Sequence, residues 1–357
     1  MATLSESLMK KTGPLAAPLS QWFDGAALTQ LFRMNLRLIA QELSLPLKDI
    51  LSSFLKGVKN GAFTLAWEYH CPHCNGIPDF KHRFDELSSG SFCPLCNVDF
   101  RNSLDKNVEV TFTLHPSLGE IPQPHQDQVK AEMLEAIKQQ ALLMPPVFLS
   151  GLDCMNNETF QELFGSEVLS SEESLEIGHV TLLFTDIKGS TEMYTRVGDV
   201  VSYRIVRDHF KVLFGKIQEN GGLVVKTIGD AVMASFVKPE NAVKAALEAY
   251  EAFQTLTWDS IGKLEIKMGI HEGGVIAVTM NNRMDFFGNT VNMAARIQGM
   301  AEDHSVCLTK EVMEQPSVRA YLKTWKQGRS EKIFRHKSQL KGIQGLTSYY
   351  RIRSELV

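Results

Sequence analysis

The 357-residue sequence predicts an α+β protein in two halves. A helical lead and short strands stapled at four cysteines come first, and an α/β sandwich with helices on one face of a mainly antiparallel sheet follows. Three observations predict this. Apolar residues recur at three- and four-residue steps over residues 21–60. Two Cys-x-x-Cys pairs sit between short alternating runs. From residue 179 onward, buried-strand runs and amphipathic helical stretches succeed one another. Apolar residues make up 44% and charged residues 22%, and 37 Lys+Arg against 41 Asp+Glu leave a net charge of −4, which excludes a strongly basic polyanion binder. No stretch approaches the roughly 18 consecutive apolar residues of a membrane span. Lys10, Lys11, Pro14 and Pro18 interrupt the start where a signal peptide would be apolar. The expectation is a soluble, cytoplasmic chain of two or three domains.

Taken in order, Leu28, Leu31, Phe32, Leu36, Ile39 and Leu43 give the first helical face, Pro46 breaks it, and Ile50, Leu51, Phe54 and Leu55 resume it. The break suggests a helix-turn-helix, but residues 1–110 carry 11 bases and 11 acids and lack the basic footprint of a nucleic-acid reader. Alternation marks strands over residues 63–67 and 108–114. Between them, Cys71/Cys74 and Cys93/Cys96 form Cys-Pro-His-Cys and Cys-Pro-Leu-Cys pairs separated by 18 residues. Four thiolates on two tight turns close a tetrahedron around Zn²⁺ and leave no open position, so the reading is a structural zinc site, with redox dithiols or unligated buried cysteines as the alternative. His70, His73 and His82 read as surface histidines, and Cys154 and Cys307 as ordinary residues.

A helix is expected over residues 127–143, closed by Pro145-Pro146. Between Lys138 and Lys188 there is no Lys or Arg, while Asp153, Glu158, Glu162, Glu167, Glu172, Glu173 and Glu176 accumulate, which reads as a solvated acidic connector. The division is therefore 1–120, a connector over 121–177, and 178–357. In the last part residues 179–187 read as a strand buried on both faces. A helical stretch runs to about residue 218, and strands over 223–228 and 231–236 flank a Gly229-Asp230 hairpin turn. A helix follows over 241–256, a second strand pair over 263–280, and a helix over 289–300 with Asn289 as N-cap. Toward the C-terminus Arg319, Lys323, Lys326, Arg329, Lys332, Arg335, Lys337 and Lys341 face only Glu331, a basic stretch read as a solvated face.

Asp186 closes the apolar strand and Asp230 follows 44 residues later in the hairpin turn. A carboxylate at a buried strand end is costly unless it is paired or binds a cation, and two together suit Mg²⁺ or Mn²⁺ with a nucleoside triphosphate. Ile187, Gly189, Ser190 and Thr191 lead into a helix whose backbone N–H groups suit phosphate oxygens. Lys226 precedes Asp230 by four residues, and Asp285 lies in a polar turn. Asn292 and Arg296 share one helix face at i, i+4, where an amide and a guanidinium orient a sugar and neutralise phosphate charge.

Four segments, Phe184-Thr-Asp-Ile-Lys-Gly-Ser-Thr191, Val225-Lys-Thr-Ile-Gly-Asp-Ala231, Met268-Gly-Ile-His-Glu-Gly273 and Phe287-Gly-Asn-Thr-Val-Asn-Met-Ala-Ala-Arg296, make residues 179–309 resemble the class III nucleotide cyclase catalytic domain. The end, residues 341–352, is similar to that family's closing strand. The N-terminal half resembles the uncharacterised domain with two CPxC knuckles that precedes some bacterial cyclases. The resemblance implies a ferredoxin-like α/β sandwich behind a zinc-ribbon-like domain, and an adenylate cyclase that converts ATP to 3′,5′-cyclic AMP and pyrophosphate. It implies two Mg²⁺ or Mn²⁺ ions on Asp186 and Asp230, adenine read by Lys226 and Asp285, ribose oriented by Asn292 and the transition-state phosphate clamped by Arg296. It also implies a homodimer with active sites shared between protomers, and a cytosolic signal acting on the N-terminal half. A guanylate cyclase and a catalytically silent nucleotide-sensing module stay open as alternatives. A diguanylate cyclase is excluded because no Gly-Gly-Asp/Glu-Glu-Phe turn is present.

Overall fold

The structure is a computed structural model that describes residues 3–138, 147–302, 305–327, 329 and 331–353. The end of the helix expected over 127–143 and the Pro145-Pro146 step lie outside the described residues. The chain divides into two compact units, one of Met1–Ile177 with Ala277–Met284, the other of Gly178–Ile276 with Asp285–Val357.

The first unit opens with four helices, α1 (Leu4–Thr12), α2 (Ala17–Gly25), α3 (Leu36–Glu42) and α4 (Leu47–Lys59). The helical face expected from Leu28 onward is broken more than the apolar spacing suggests. Leu28–Leu31 is a 3-10 turn, Arg33 takes a φ of 51°, and Met34 pairs with Phe112 before Asn35 caps α3. Pairing to a distant strand overrides the local helical period there. Pro46 stands at the N-cap of α4, where its missing N–H is harmless.

β1 (Phe63–Tyr69), β2 (Asp79–Lys81) and β5 (Val108–Leu114) form a three-stranded antiparallel sheet in the order β2-β1-β5, while β3 (Gly90–Cys93) and β4 (Val98–Arg101) make a separate hairpin. Phe54 stacks on Phe63 at 4.3 Å and meets Phe112 edge-on, so α4 covers the β1–β5 face with aromatic surface. α5 (Gln123–Lys138), α6 (Gly151–Met155) and α7 (Glu158–Phe164) follow. Residues 147–177, acidic in composition, belong to this unit. Leu149, Leu152, Met155 and Phe160 are buried, Val110 N–H donates to the Leu149 carbonyl at 2.8 Å, and Trp67 packs edge-on against Phe160.

β6 (Leu175–Ile187) starts in the first unit and ends in the second. α8 (Ser190–Val197), α9 (Asp199–Glu219), β7 (Leu223–Ile228), β8 (Ala231–Phe236), α10 (Pro239–Thr255) and β9 (Ile266–Met280) come next. Then follow β10 (Arg283–Phe287), α11 (Asn289–Gly299), β11 (Ser305–Thr309), α12 (Lys310–Glu314), α13 (Pro316–Trp325), β12 (Lys332–Gln339) and β13 (Leu346–Arg353). The sheet order is β12-β13-β11-β9-β6-β8-β7, with β10 on β9. Within it, β6-α9-β7-β8-α10-β9 is a βαββαβ unit with strand order β9-β6-β8-β7, the ferredoxin-like sandwich that the sequence led us to expect. The β11–β9 pair is parallel, and the β6–β8, β7–β8, β11–β13 and β12–β13 pairs are antiparallel.

Leu213 and Ile217 of α9, Ala246 and Phe253 of α10 and Leu322 of α13 pack with Leu183, Val232, Met268, Ile270, Val306 and Leu308 on one sheet face. Helices on a single face were expected, but α11 takes the other. Its Ile297 packs with Cys307 and Tyr349, whose side chains alternate away from Val306 and Leu308.

Three further expectations are corrected. The strand pair over 263–280 is one 15-residue strand, β9, and its reversal is at Asn281 and Asn282, both in the left-handed region at φ 52° and 56°. Asp285 consequently lies in strand β10 and is buried, not in a polar turn. Gly288 is the N-cap of α11 and Asn289 its first residue. β12 is an edge strand with Arg335 and Lys337 exposed, charges that discourage pairing with other chains. Among the described residues no helix is long and apolar enough to cross a membrane.

Candidate active site

Asp186 is the penultimate residue of β6, and Asp230 lies in the β7–β8 turn after Gly229, whose φ is 63°. The β6–β8 register pairs Thr185 with Val232, which sets Ile187 opposite Asp230; the Ile187 N–H donates to Asp230 Oδ2 at 3.2 Å. Burial, and then the Asp230 charge, push the Asp186 carboxyl above the usual carboxylate range, with Lys267 of β9 offsetting part of this. Two carboxylates held this way repel each other until a proton or a cation comes between them. The Tyr194 phenol on α8 is pushed up by burial and by the same two charges. Lys267 and Tyr194 had no signal in the sequence, because their approach depends on strand order and helix packing.

Gly189 caps α8 in the left-handed region at φ 67° with open space around its Cα, so conformation and not room selects glycine there. No side chain caps this helix, and Ser190 and Thr191 form its first turn. Lys188 beside them is held by Glu265 at 2.9 Å.

Lys226 of β7 and Asp285 of β10 meet at 2.5 Å, and the Phe286 N–H donates to the second Asp285 oxygen at 2.8 Å. Asp285 is 7% exposed, so its charge is balanced by a lysine that keeps an open side. Asn292 and Arg296 are exposed on α11. Among the described residues neither forms a hydrogen bond or ion pair with the two pairs above, so one chain presents three separate parts of the expected site.

The four expected cysteines converge, with all four sulfurs within 4.8 Å of one another. Cys74 and Cys93 sulfurs are 3.7 Å apart. Asn75 and Asn97, each one residue past a pair, take φ of 57° and 56°, and their N–H groups return to the Cys71 and Cys93 carbonyls at 2.8 Å. This repeated turn aims both sulfurs of a pair at one point. Burial raises the Cys71 thiol; in Cys93 burial is outweighed by N–H groups of Cys96 and Leu95 and by neighbouring thiols, which bring it down to about 7. The donor set fits a tetrahedral thiophilic ion.

A second group, Glu68, His70 and Glu109, also brings donor atoms within 4.8 Å. Glu68 and Glu109 are direct cross-strand neighbours. Arg33 holds Glu68 through two nitrogens, Thr111 donates to Glu68, and His70 is 2.7 Å from Glu109, so the chain itself satisfies this cluster. His70 is thus a half-buried partner of Glu109 and not the surface histidine expected.

Residues 172–352 match the family model described as adenylate and guanylate cyclase catalytic domain, and residues 4–188 match a family of unknown function (DUF5939). An adenylate cyclase of Mycosarcoma maydis is 32% identical over 180 residues, 43% of this chain and 7% of that protein. An adenylate cyclase of Anabaena cylindrica is 30% identical over 162 residues, 40% of this chain and 32% of that protein. The chain thus spans less than a third of either relative's length. Among solved structures, the adenylyl cyclase CyaB from P. aeruginosa aligns with a TM-score of 0.41 at 20% identity, covering 52% of this chain and 97% of that one. The guanylate cyclase domain of RhGC from Catenaria anguillulae, in complex with GTP, aligns with a TM-score of 0.42 at 20% identity, covering 51% and 99%. The chain belongs to the adenylate and guanylate cyclase catalytic domain family through residues 172–352, and to a family of unknown function through residues 4–188.

Proposed function

We propose that this chain is an adenylate cyclase that converts ATP to 3′,5′-cyclic AMP and pyrophosphate. The observation that carries the reading is the pair Asp186 and Asp230, one at the end of β6 and the other in the β7–β8 turn bonded to the next residue, Ile187, with burial and the Asp230 charge raising the Asp186 carboxyl. Asp186 and Asp230 would hold two Mg²⁺ or Mn²⁺ ions, which make a ribose hydroxyl more acidic and screen a triphosphate when bound. The ribose 3′-oxygen gives up its proton to solvent and bonds to the α-phosphorus, while the bond from that phosphorus to the bridging oxygen breaks and pyrophosphate leaves with the oxygen. Backbone N–H groups of Gly189, Ser190 and Thr191 face the phosphates, Ile187 leads into them with its own N–H held by Asp230, Asn292 orients the ribose and Arg296 neutralises the charge that develops. Lys226 donates to an adenine ring nitrogen and Asp285 accepts from its amine, a pairing that guanine's carbonyl opposes. The separation of Arg296 from both pairs within one chain favours a symmetric homodimer with shared sites.

The cysteine quartet would hold a structural Zn²⁺ in a regulatory N-terminal domain. Cysteines outside disulfides and an ATP substrate both suit the cytoplasm. The test is purified protein with ATP or GTP and Mn²⁺, products resolved by chromatography. Cyclic AMP is expected, and Asp186→Ala should abolish it. A preference for GTP would overturn the base reading, and no product with either nucleotide would favour a silent nucleotide sensor. Mixing Asp230→Ala with Arg296→Ala chains should restore activity; a mixture as inactive as each mutant refutes the shared site.

A further inference from the structure

The hairpin β3–β4 carries the second cysteine pair and buries little besides Cys93 and Phe100. It is a two-stranded sheet of four residues a side, and Phe92 and Leu95 are 50% and 67% exposed. Hairpins of that size are marginal in water on their own. Its order therefore rests on the bonds at its two ends and on whatever draws the four sulfurs together.

The two chain ends leaving this hairpin are bonded to one segment, residues 167–176. Ser89 N–H donates to Glu173 Oε2 at 2.8 Å, and Leu104 N–H donates to the Glu176 carbonyl at 2.8 Å beside a parallel bridge from Ser103 to Glu176. Phe84 N–H donates to Glu167 Oε2 at 3.1 Å. Asn102, fully buried, ties the ends to each other through the Ser88 carbonyl and the Ser91 hydroxyl, both at 2.8 Å. Glu173 and Glu176, which read as members of a solvated connector, are thus strapped to the knuckle. The same segment meets the β9–β10 turn, where Thr279 Oγ1 donates to the Leu169 carbonyl at 2.7 Å.

The strapped segment runs directly into β6, which begins at Leu175 and carries Asp186 at its far end. Asp285 likewise follows directly on the Ala277–Met284 segment. The ten residues from Glu176 to Asp186 form one extended strand of about 33 Å. We propose that a thiophilic divalent ion, Zn²⁺, on Cys71, Cys74, Cys93 and Cys96 is a control ligand for the cyclase. With the ion bound, the hairpin holds the 167–176 strap, and the strap sets the position of Asp186 through β6 and of Asp285 through the β9–β10 turn. This deepens the proposed function and its activity arm rests on it.

The experiment uses the full chain, loaded with Zn²⁺ or stripped by a thiol-competing reagent and returned to Mn²⁺. Zinc content, amide exchange and cyclic nucleotide formation are measured. Stripping should release one ion per chain and speed exchange across 167–176 and at Ser89 and Leu104 by on the order of tenfold, leaving β1 and β5 protected. Activity should change severalfold. Glu173→Ala should keep its zinc but lose most of that zinc dependence. Cys93→Ser should match the stripped wild type. Failure to bind zinc, or unchanged exchange over 167–176 on its removal, overturns the proposal. Responsive exchange with no cyclic nucleotide from any form would uphold the strap and refute the cyclase reading instead. Equal zinc dependence in Glu173→Ala would refute the strap as the route.

Discussion

Gly269→Ala gives the sharpest test of how the sheet places Arg296. Gly269 lies on β9 between Met268 and Ile270, whose side chains enter the main core, so its own Cα faces α11. A Cβ built there sits 2.1 Å from the Gln298 backbone nitrogen and 2.4 Å from its Cα, where real contacts do not fall below 3.0 Å. The difference, 3.0 − 2.1, means that helix and strand must separate by about 0.9 Å, because the obstacle is backbone that no rotamer change can move. Overpacking of this kind costs roughly 1–3 kcal/mol. Gln298 is two residues past Arg296, so the guanidinium moves with the helix, and a misplacement of about 1 Å lowers kcat by roughly 100-fold. Gly273→Ala on the same strand is the control. Its Cβ meets the Thr290 hydroxyl at 2.6 Å, a side chain that can turn away at the loss of its 2.6 Å bond to the Gly274 carbonyl. The assay is thermal unfolding together with kcat for ATP with Mn²⁺. Gly269→Ala should be lower in both, and Gly273→Ala only slightly lower. If Gly269→Ala keeps wild-type Tm and kcat, α11 is not seated on Gly269 and the placement of Arg296 must be argued differently.

Other outcomes follow from single groups. Fully buried His209 lies among Phe210 and Phe253 and is held by burial at about 4, below the ordinary histidine value. The unfolded chain therefore binds the extra proton first, and its contribution to stability, full above about pH 6.5, falls away toward pH 4 by about 3 kcal/mol. His209→Phe should flatten that part of the stability curve, and an unchanged acid limb would contradict it. Asp186→Asn removes the repulsion with Asp230, so Tm at neutral pH without metal should rise while activity disappears; the gain should vanish in acid, where the folded wild type already carries the proton. A fall in Tm would show that the pair is not repulsive. Lys226→Met leaves the buried Asp285 carboxylate without its cation and should destabilise by about 1–3 kcal/mol while lowering kcat/KM for ATP. Unchanged kcat/KM for ATP would remove Lys226 from base recognition.

The parts legible in the sequence are those set by neighbours along the chain. A Cys-x-x-Cys pair closes through N–H groups two and three residues on, so its spacing alone announces the turn. Asp186 and Asp230 stood out because an acid at the end of an apolar strand and another in a Gly-Asp turn are expensive unless they are used. The alternation of strands and helices implied an α/β sandwich, and its ferredoxin-like order was implied only by the cyclase resemblance. The strand pair expected over 263–280 is one strand, in which Gly273 leaves room for Thr290 and the Thr290 hydroxyl donates to the Gly274 carbonyl. With the reversal moved to Asn281 and Asn282, Asp285 passed from a loop to a buried strand.

By itself the sequence singled out the side chains proposed to bear the chemistry, as acids, thiols and a guanidinium at fixed local spacing. Only the tertiary structure decided what they face. It put Lys226 against Asp285, Lys267 near Asp186 and α11 on the sheet's second face, and it strapped Glu173 and Glu176 to the cysteine hairpin. Those pairings join residues far apart along the chain, and no periodicity encodes them. They form because strand order and the burial of charge bring these groups within reach of one another.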